Sequence, residues 1–142
     1  MSLARRASQT DSGRLTTEVD PVRVLIADDD PEEASGLMTM LVTANHCEVR
    51  IAHSAATALA EAVEFLPGII FLDIDLPDMG GYEVGRLLHQ HAVLQNMRLI
   101  ALTDSIEHPA RESARTAGFE RYLVKPITDL ELQKVLRGPV RR

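Results

Sequence analysis

Aspartates follow two strongly apolar segments of the chain, at the point where each segment meets polar residues. The segment VLIA runs into Asp28 and Asp29, and the segment GIIFL runs into Asp73 and Asp75. If these segments are neighbouring parallel strands, their carboxyl ends lie at one edge of a sheet, and Asp28, Asp29 and Asp73 converge there. Close carboxylates repel one another, and a divalent cation relieves that repulsion.

The residue types around this cluster favour one kind of cation. Mg²⁺ binds a few carboxylate oxygens, keeps several waters and leaves positions for phosphate oxygens. Mn²⁺ is the alternative, because it also prefers oxygen ligands. No histidine or cysteine is grouped with these acids in the sequence, which disfavours zinc or copper. We therefore predict a Mg²⁺ site formed by Asp28, Asp29 and Asp73.

Two more polar residues follow apolar segments. Thr103 comes after LIAL, and Lys125 comes after YLV. A hydroxyl group and a cation beside a metal-carboxylate cluster can bind the oxygens of a phosphoryl group. Asp73 would then be the nucleophile that forms an acyl phosphate. Together these residues predict phosphoryl-transfer chemistry.

The remaining acidic residues nearby have structural explanations. Asp30 precedes Pro31, so we expect it to cap a helix, with Glu33 as a capping-box-like glutamate. Asp78 lies in LPDMGG and is expected to be a turn residue. The Asp75 side chain has two open interpretations, as a polar loop residue or as part of the site.

Strand-like and helix-like segments alternate from Pro21 onward, which predicts a parallel sheet covered by helices on both faces. We predict five helices, and in the first of them apolar residues recur at the spacing of one face. Those residues are Ala34, Leu37, Met38, Leu41 and Val42. The five predicted strands are VRVLIA from Val22, CEVRIA from Cys47, GIIFL from Gly68, RLIALT from Arg98 and RYLV from Arg121.

The composition of the strands indicates their order. GIIFL and LIAL are continuously apolar, as strands buried on both faces are, whereas CEVRIA alternates polar and apolar residues, as an edge strand does. This pattern is compatible with the order 2-1-3-4-5 of flavodoxin-like doubly wound folds, whose ligands bind at the carboxyl ends of strands 1 and 3. Thr128 and Glu131 predict a capping box on the last helix, and Gly118 and Gly138 predict left-handed helix ends.

Length and charge restrict the class of protein. A chain of 142 residues with a net charge of -6 fits one domain, and its acidity argues against direct nucleic-acid binding. We expect a flexible tail or linker over residues 1–20, the domain over 21–138 and a C-terminal tail over 139–142. The single Cys47, the lack of a signal peptide and the lack of a membrane-length apolar run predict a cytoplasmic location; we assign Cys47 no chemistry.

Four motifs in this order resemble the receiver domain of two-component response regulators. They are VLIADDD, FLDIDLPDMGGYE, ALTD and YLVKP, and the resemblance covers roughly residues 21–138. The resemblance implies that Asp73 is the phosphoacceptor, that Asp29 binds Mg²⁺ directly and that Asp28 acts through water. It also implies that the backbone carbonyl of Asp75 is a third ligand.

The resemblance further implies a switch and its partners. Thr103 and Lys125 would bind the phosphoryl group, the Lys125-Pro126 bond would be cis, and Tyr122 would be the switch aromatic. The phosphodonor would be a sensor histidine kinase or a histidine phosphotransfer protein. The readout surface, and a homodimer interface by analogy, would be helix 4, strand 5 and helix 5, from about Ile106 to Leu136. No turnover of an external substrate is expected.

Asp104 departs from the family pattern, in which the residue after the threonine is small. Its bulk and charge are predicted to slow the access of phosphoryl groups to Asp73, hydrolysis, or both. The charge of Asp75 is predicted to add to that modulation. Unchanged rates in an Asp104→Ala variant would contradict this hypothesis. The chain is compatible with a stand-alone receiver and with a piece of a longer regulator or hybrid kinase.

Two alternatives stay open. IIFLDIDLP also resembles the nucleophile motif of haloacid-dehalogenase-type phosphatases, but those enzymes carry further acidic residues after the lysine, and none follows Lys125 in a similar pattern. The other alternative is a non-phosphorylated, receiver-like interaction module, which would normally lack one of the key residues. No G-x-G-x-x-G sequence follows the first strand, which argues against dinucleotide binding.

Overall fold

A computed structural model describes residues 20–104 and 117–138. The strands are β1 (Val22–Ala27), β2 (Cys47–Ala52), β3 (Ile69–Asp73), β4 (Arg98–Thr103) and β5 (Arg121–Val124). The helices are α1 (Pro31–Ala44), α2 (Ala55–Phe65), α3 (Gly81–Gln90) and α4 (Asp129–Leu136), with a 3₁₀ turn at Ala92–Leu94. The predicted helix 4 falls between β4 and β5, outside the described residues, and α4 is the predicted helix 5.

The five strands form one parallel sheet in the order β2-β1-β3-β4-β5. This confirms the predicted flavodoxin-like order, with β2 at an edge. Every residue of β3 is buried, whereas β2 is mostly half-buried or exposed, as their apolar and alternating compositions predict.

Alternate residues of the central strands pack into two apolar layers, one on each face of the sheet. Leu25 and Ile70 lie in the layer covered by α2 and α3, and Val24 and Phe71 lie in the layer covered by α1 and α4. Because side chains on both faces are buried, the strands are held in a fixed register and their ends are aligned. No helix within the two described ranges is long and apolar enough to cross a membrane.

The helix ends confirm most of the predicted caps. Asp30 accepts hydrogen bonds from the backbone N–H groups of Glu32 and Glu33, and Thr128 forms a capping box with Glu131. Gly138 has a positive φ of 103° directly after the end of α4, as the prediction of a left-handed residue requires. Gly118 also has a positive φ, of 95°.

Two predictions for α1 are wrong. Val42 is 50% exposed, so the apolar face of the helix is narrower than the sequence spacing suggested. Glu33 forms no capping box, because its carboxylate binds Lys125 instead, with 2.7 Å between Oε1 and Nζ. The long-range ion pair replaces the local contact that the sequence pattern predicted.

Candidate functional site

Four strands deliver the predicted functional residues to one edge of the sheet. Asp28 directly follows β1, Asp73 is the last residue of β3, Thr103 is the last residue of β4 and Lys125 directly follows β5. The parallel register brings these ends together, since Asp73 lies opposite Leu102 of β4. Asp28, Asp73 and Thr103 are buried polar residues in an otherwise apolar sheet.

The three carboxylates of Asp28, Asp29 and Asp73 form one cluster. Each offers a ligand oxygen, and these oxygens all lie within 4.8 Å of one another. Asp28 and Asp73 are buried, and Asp29 is exposed. An all-oxygen donor set of this charge fits a hard divalent cation such as Mg²⁺ or Mn²⁺, so the residues present are compatible with the predicted metal.

Backbone N–H groups orient the two buried carboxylates. The N–H of Asp30 donates to Oδ1 of Asp28 at 3.0 Å, and the N–H of Asp75 donates to Oδ1 of Asp73 at 2.8 Å. Burial raises the pKa of Asp28, although the hydrogen bonds from Asp30 and Lys125 act in the opposite direction. The buried charge is therefore costly, and an opposing charge must stabilise it.

Lys125 supplies that opposing charge. Its Nζ lies 2.9 Å from Oδ2 of Asp73, 3.0 Å from Oδ2 of Asp28 and 2.7 Å from Oε1 of Glu33. Burial alone would lower the pKa of Lys125, but the hydrogen bonds to Glu33, Asp73 and Asp28 raise it above its ordinary value. The Lys125 side chain is 11% exposed, so these contacts are only partly screened by solvent.

The backbone around Lys125 ties β5 to the site. The N–H of Lys125 donates to the carbonyl of Thr103 at 2.8 Å, which extends the β4–β5 pairing beyond the strands. The Lys125-Pro126 peptide bond is cis, as the resemblance implied. The hydrogen bond to Thr103 fixes where the lysine side chain leaves the sheet.

Tyr122 packs against the apolar layer covered by α2 and α3. Its hydroxyl group lies 2.7 Å from the hydroxyl group of Tyr82 on α3, and the Tyr82 ring packs edge-on against Phe119. Burial, followed by the hydrogen bond with Tyr122, raises the pKa of Tyr82. No sequence pattern indicated that Tyr82 is the partner of Tyr122, because the two residues are 40 positions apart.

Asp75 and Asp104 lie at the rim of the site. The Asp75 side chain is exposed and is not one of the three clustered carboxylates. Asp104 is also exposed, and it lines a cavity of about 400 Å³ together with Asp28, Glu33 and Lys125. The modulating roles of Asp75 and Asp104 stay predictions.

Several neighbours of the site were missed or only partly anticipated from the sequence. Asp78 lies in a bend, as expected, but its carboxylate also accepts hydrogen bonds from the N–H groups of Ala55 and Ala56 at the start of α2. His53 places Nδ1 3.0 Å from the carbonyl of Asp28. Glu33 was assigned to a capping box instead, because its partner Lys125 is 92 positions away and no local pattern indicated their contact.

Comparisons with known proteins agree with the fold. Residues 24–137 match the family described as the response regulator receiver domain. A solved structure of a putative response regulator from Chloroflexus aurantiacus is 32% identical, with a TM-score of 0.76, and the match covers 82% of this chain and 95% of that one. Chemotaxis response regulator CheY4 of Vibrio cholerae is 25% identical, also with a TM-score of 0.76, over 82% of this chain and 97% of that one.

Two curated relatives are longer than the matched region. Transcriptional regulatory protein TrcR of Mycobacterium tuberculosis is 33% identical over 86% of this chain, which corresponds to 46% of that protein. Response regulator PleD of Caulobacter vibrioides is 33% identical over 84% of this chain and 26% of that protein. The chain thus spans about half or less of the length of these two relatives.

The strand order and the carboxylate cluster at the carboxyl ends of β1 and β3 define a flavodoxin-like doubly wound domain with an acidic site. The chain belongs to the response regulator receiver domain family, as the match over residues 24–137 shows.

Proposed function

We propose that this receiver domain accepts a phosphoryl group on Asp73 from a phosphohistidine of a sensor histidine kinase or histidine phosphotransfer protein. One observation carries the proposal. The carboxylate of Asp73 is buried at the strand end, 2.9 Å from the Lys125 ammonium group and clustered with Asp28 and Asp29. A carboxylate that has both a fixed cation and neighbouring metal-binding groups is suited to nucleophilic attack on phosphorus.

The transfer step exchanges one bond for another. A carboxylate oxygen of Asp73 attacks phosphorus, the new O–P bond forms, and the N–P bond of the phosphohistidine breaks. The leaving imidazole keeps the electron pair of that bond and takes a proton. Asp75 supports the step through its N–H, which holds the Oδ1 atom of Asp73 in place at 2.8 Å.

The proposed cation is Mg²⁺, with Mn²⁺ as the alternative. Asp28, Asp29 and Asp73 would hold it, together with the backbone carbonyl of Asp75. When bound, it would neutralise charge on the phosphoryl oxygens. The chain itself contributes the buried position of Asp28 and the exposed position of Asp29, which leave the site open on the solvent side.

Phosphorylation would act as a switch. The product carries about -1.5 to -2 charges, which Lys125 and the hydroxyl group of Thr103 would stabilise. Tyr122 on β5 would follow Thr103 and report the change on the surface formed by predicted helix 4, β5 and α4. That surface would bind a downstream partner or a second copy of the chain.

Water would then hydrolyse the acyl phosphate, so no external substrate is turned over. We place this cycle in the cytoplasm.

Intact mass after incubation with a small acyl phosphate tests the proposal. With Mg²⁺ present, wild type should gain one phosphoryl group, whereas Asp73→Asn should gain none, because the amide is not a nucleophile. Omitting Mg²⁺ should strongly reduce the adduct. An adduct that persists in Asp73→Asn would contradict the assignment, and steady release of phosphate from small phosphoesters would support the phosphatase alternative instead.

A further inference from the structure

Glu33 is the third carboxylate that contacts Lys125, besides Asp28 and Asp73. Its Oε1 atom lies 2.7 Å from Nζ, closer than the oxygens of Asp73 and Asp28 at 2.9 and 3.0 Å. An ammonium group has three N–H donors, and these three contacts use them all. A phosphoryl oxygen can bind Lys125 only if one contact is given up.

We propose that Glu33 is a positioning residue that restrains Lys125 and thereby limits phosphorylation of Asp73. The inference rests on the proposed function and concerns the regulation of the same site. The observation that supports it is the contact between Glu33, at the start of α1, and Lys125, at the end of β5, 92 residues away in sequence.

The three contacts of Lys125 are not equivalent. Asp28 and Asp73 belong to the three-carboxylate cluster, so a cation bound there competes with Lys125 for their oxygens. Glu33 lies outside that cluster, and its side chain is 44% exposed. Binding of a cation therefore leaves the Glu33 contact in place, and Glu33 remains a carboxylate that competes with a phosphoryl oxygen for the Lys125 ammonium group.

The scarcity of positive charge at this edge of the sheet strengthens the competition between Glu33 and a phosphoryl group for Lys125. In the described part of the chain, no other lysine or arginine lies within salt-bridge distance of Asp28, Glu33 or Asp73. A phosphoryl group brings further negative charge to the same place. Glu33 thus disfavours the phosphorylated state twice, by occupying a donor of Lys125 and by repelling the phosphoryl oxygens.

The test compares three variants with wild type. Glu33→Gln removes the charge and keeps the shape, and Glu33→Asp keeps the charge but shortens the side chain by one methylene group. Glu32→Gln is the matched control, because Glu32 lines the same cavity and carries the same charge but has no ion pair within residues 20–104 and 117–138. The rate of adduct formation with a small acyl phosphate and Mg²⁺ is measured for each protein.

Glu33→Gln should be phosphorylated roughly two- to five-fold faster than Glu32→Gln, the range expected for loss of one partly exposed ion pair. Glu33→Asp should fall between wild type and Glu33→Gln. Binding of beryllofluoride, which mimics the phosphoryl group without reacting, should tighten in Glu33→Gln by a similar factor. A merely structural role would change thermal stability without tightening that binding.

The outcomes separate the two proposals. Equal rates and equal beryllofluoride affinities for Glu33→Gln and Glu32→Gln, with an adduct on wild type, overturn the role of Glu33 and leave the proposed function standing. A slower Glu33→Gln also overturns it, since Glu33 would then assist Lys125. An adduct on Glu33→Gln but not on wild type supports the proposal and means that Glu33 blocks phosphorylation of Asp73 under these conditions. The absence of an adduct on every variant overturns both proposals.

Discussion

Asp78 shows how a single side chain can join two loops at the active edge of the sheet. It follows β3 in sequence, yet its carboxylate caps the start of α2 by accepting the N–H groups of Ala55 and Ala56 at 2.8 and 3.0 Å. These two hydrogen bonds lower the pKa of Asp78. The contact thus couples the loop that follows β3 to the start of α2.

We expect Asp78→Ala to lower the free energy of unfolding at neutral pH, because two helix N–H groups lose their acceptor. The folded pKa is depressed below the unfolded value of about 4, so the contribution is present above pH 4 and is lost as the pH falls through the folded pKa. Urea unfolding of both proteins from pH 3 to 7 measures the difference.

The control for this prediction is Asp104→Ala. Asp104 is also exposed, and in the described part of the chain its carboxylate accepts no hydrogen bond from a backbone N–H group. Its substitution should therefore lower the free energy of unfolding at neutral pH less than Asp78→Ala does. If the difference in the free energy of unfolding between wild type and Asp78→Ala stayed constant down to pH 3, the ionised carboxylate of Asp78 would not be the source of the stabilisation.

Most site residues could be predicted from the sequence because their chemistry requires their type. The proposed chemistry requires a carboxylate at position 73 and a cation at position 125, so Asp73 and Lys125 can both be recognised at strand ends. Glu33 and Tyr82 could not be assigned in this way. Each acts through a partner far away in sequence, and local patterns gave Glu33 a different and equally reasonable role as a capping residue.

At the scale of elements, the junction between β3 and α3 depends on a close backbone approach at Gly81. Its N–H donates to the carbonyl of Ile74 at 3.0 Å, and a Cβ atom added at Gly81 would lie 2.3 Å from Cα of Ile74. The clash is with backbone, so no rotamer change can relieve it. The junction matters because it holds the turn that includes Asp75.

We expect Gly81→Ala to destabilise the protein by about 1–3 kcal/mol, the usual cost of forcing extra volume into a packed site. Gly36→Ala is the contrast, because a Cβ atom at Gly36 in α1 meets nothing within 4 Å. Alanine in that helix interior should stabilise by about 0.5–1 kcal/mol. Chemical denaturation of both variants measures the change in the free energy of unfolding, which should be negative for Gly81→Ala and positive for Gly36→Ala. A Gly81→Ala protein as stable as wild type would mean that α3 can shift without a loss of stability.

The elements themselves were largely predictable, and their errors have physical causes. Continuous apolar runs identified β3 and β4 as central, because only strands covered on both faces can bury every residue. Val42 was wrongly placed on the buried face of α1, because residue spacing gives the direction of a helical face but not its width. That width depends on how close the sheet and α4 approach.

At the scale of the whole molecule, the net charge of -6 is concentrated in part at one edge of the sheet. Mutual repulsion of Asp28, Asp29 and Asp73 should lower the free energy of unfolding of the domain when no metal is bound. A ligand that binds only the folded state adds RT ln(1 + [L]/Kd) to stability. The acidic cluster should therefore link stability to the divalent cation.

We expect Mg²⁺ to raise the Tm of wild type, by an amount equivalent to about 2.7 kcal/mol when its concentration is 100 times the Kd. Asp29→Asn should be more stable than wild type without Mg²⁺ and should respond to Mg²⁺ much less. Asp20→Asn removes the same charge from the opposite end of β1 and serves as the control, at matched ionic strength. An equal Mg²⁺ response in all three proteins would contradict a site at Asp28, Asp29 and Asp73.

The order 2-1-3-4-5 was compatible with the composition of the strands and was taken from flavodoxin-like folds. The sequence by itself indicated that β3 and β4 are buried on both faces and that β2 is an edge strand, and it determined the types of the polar residues that follow the strands. It could do so because burial dictates apolar runs and because phosphoryl chemistry restricts the choice of side chains. Only the tertiary structure decided which carboxylates share Lys125, which helix Asp78 caps and which hydroxyl group the Tyr122 hydroxyl group contacts. Those partners are brought together by the packing of helices on the sheet, and contacts between residues so distant in sequence leave no local pattern from which to predict them.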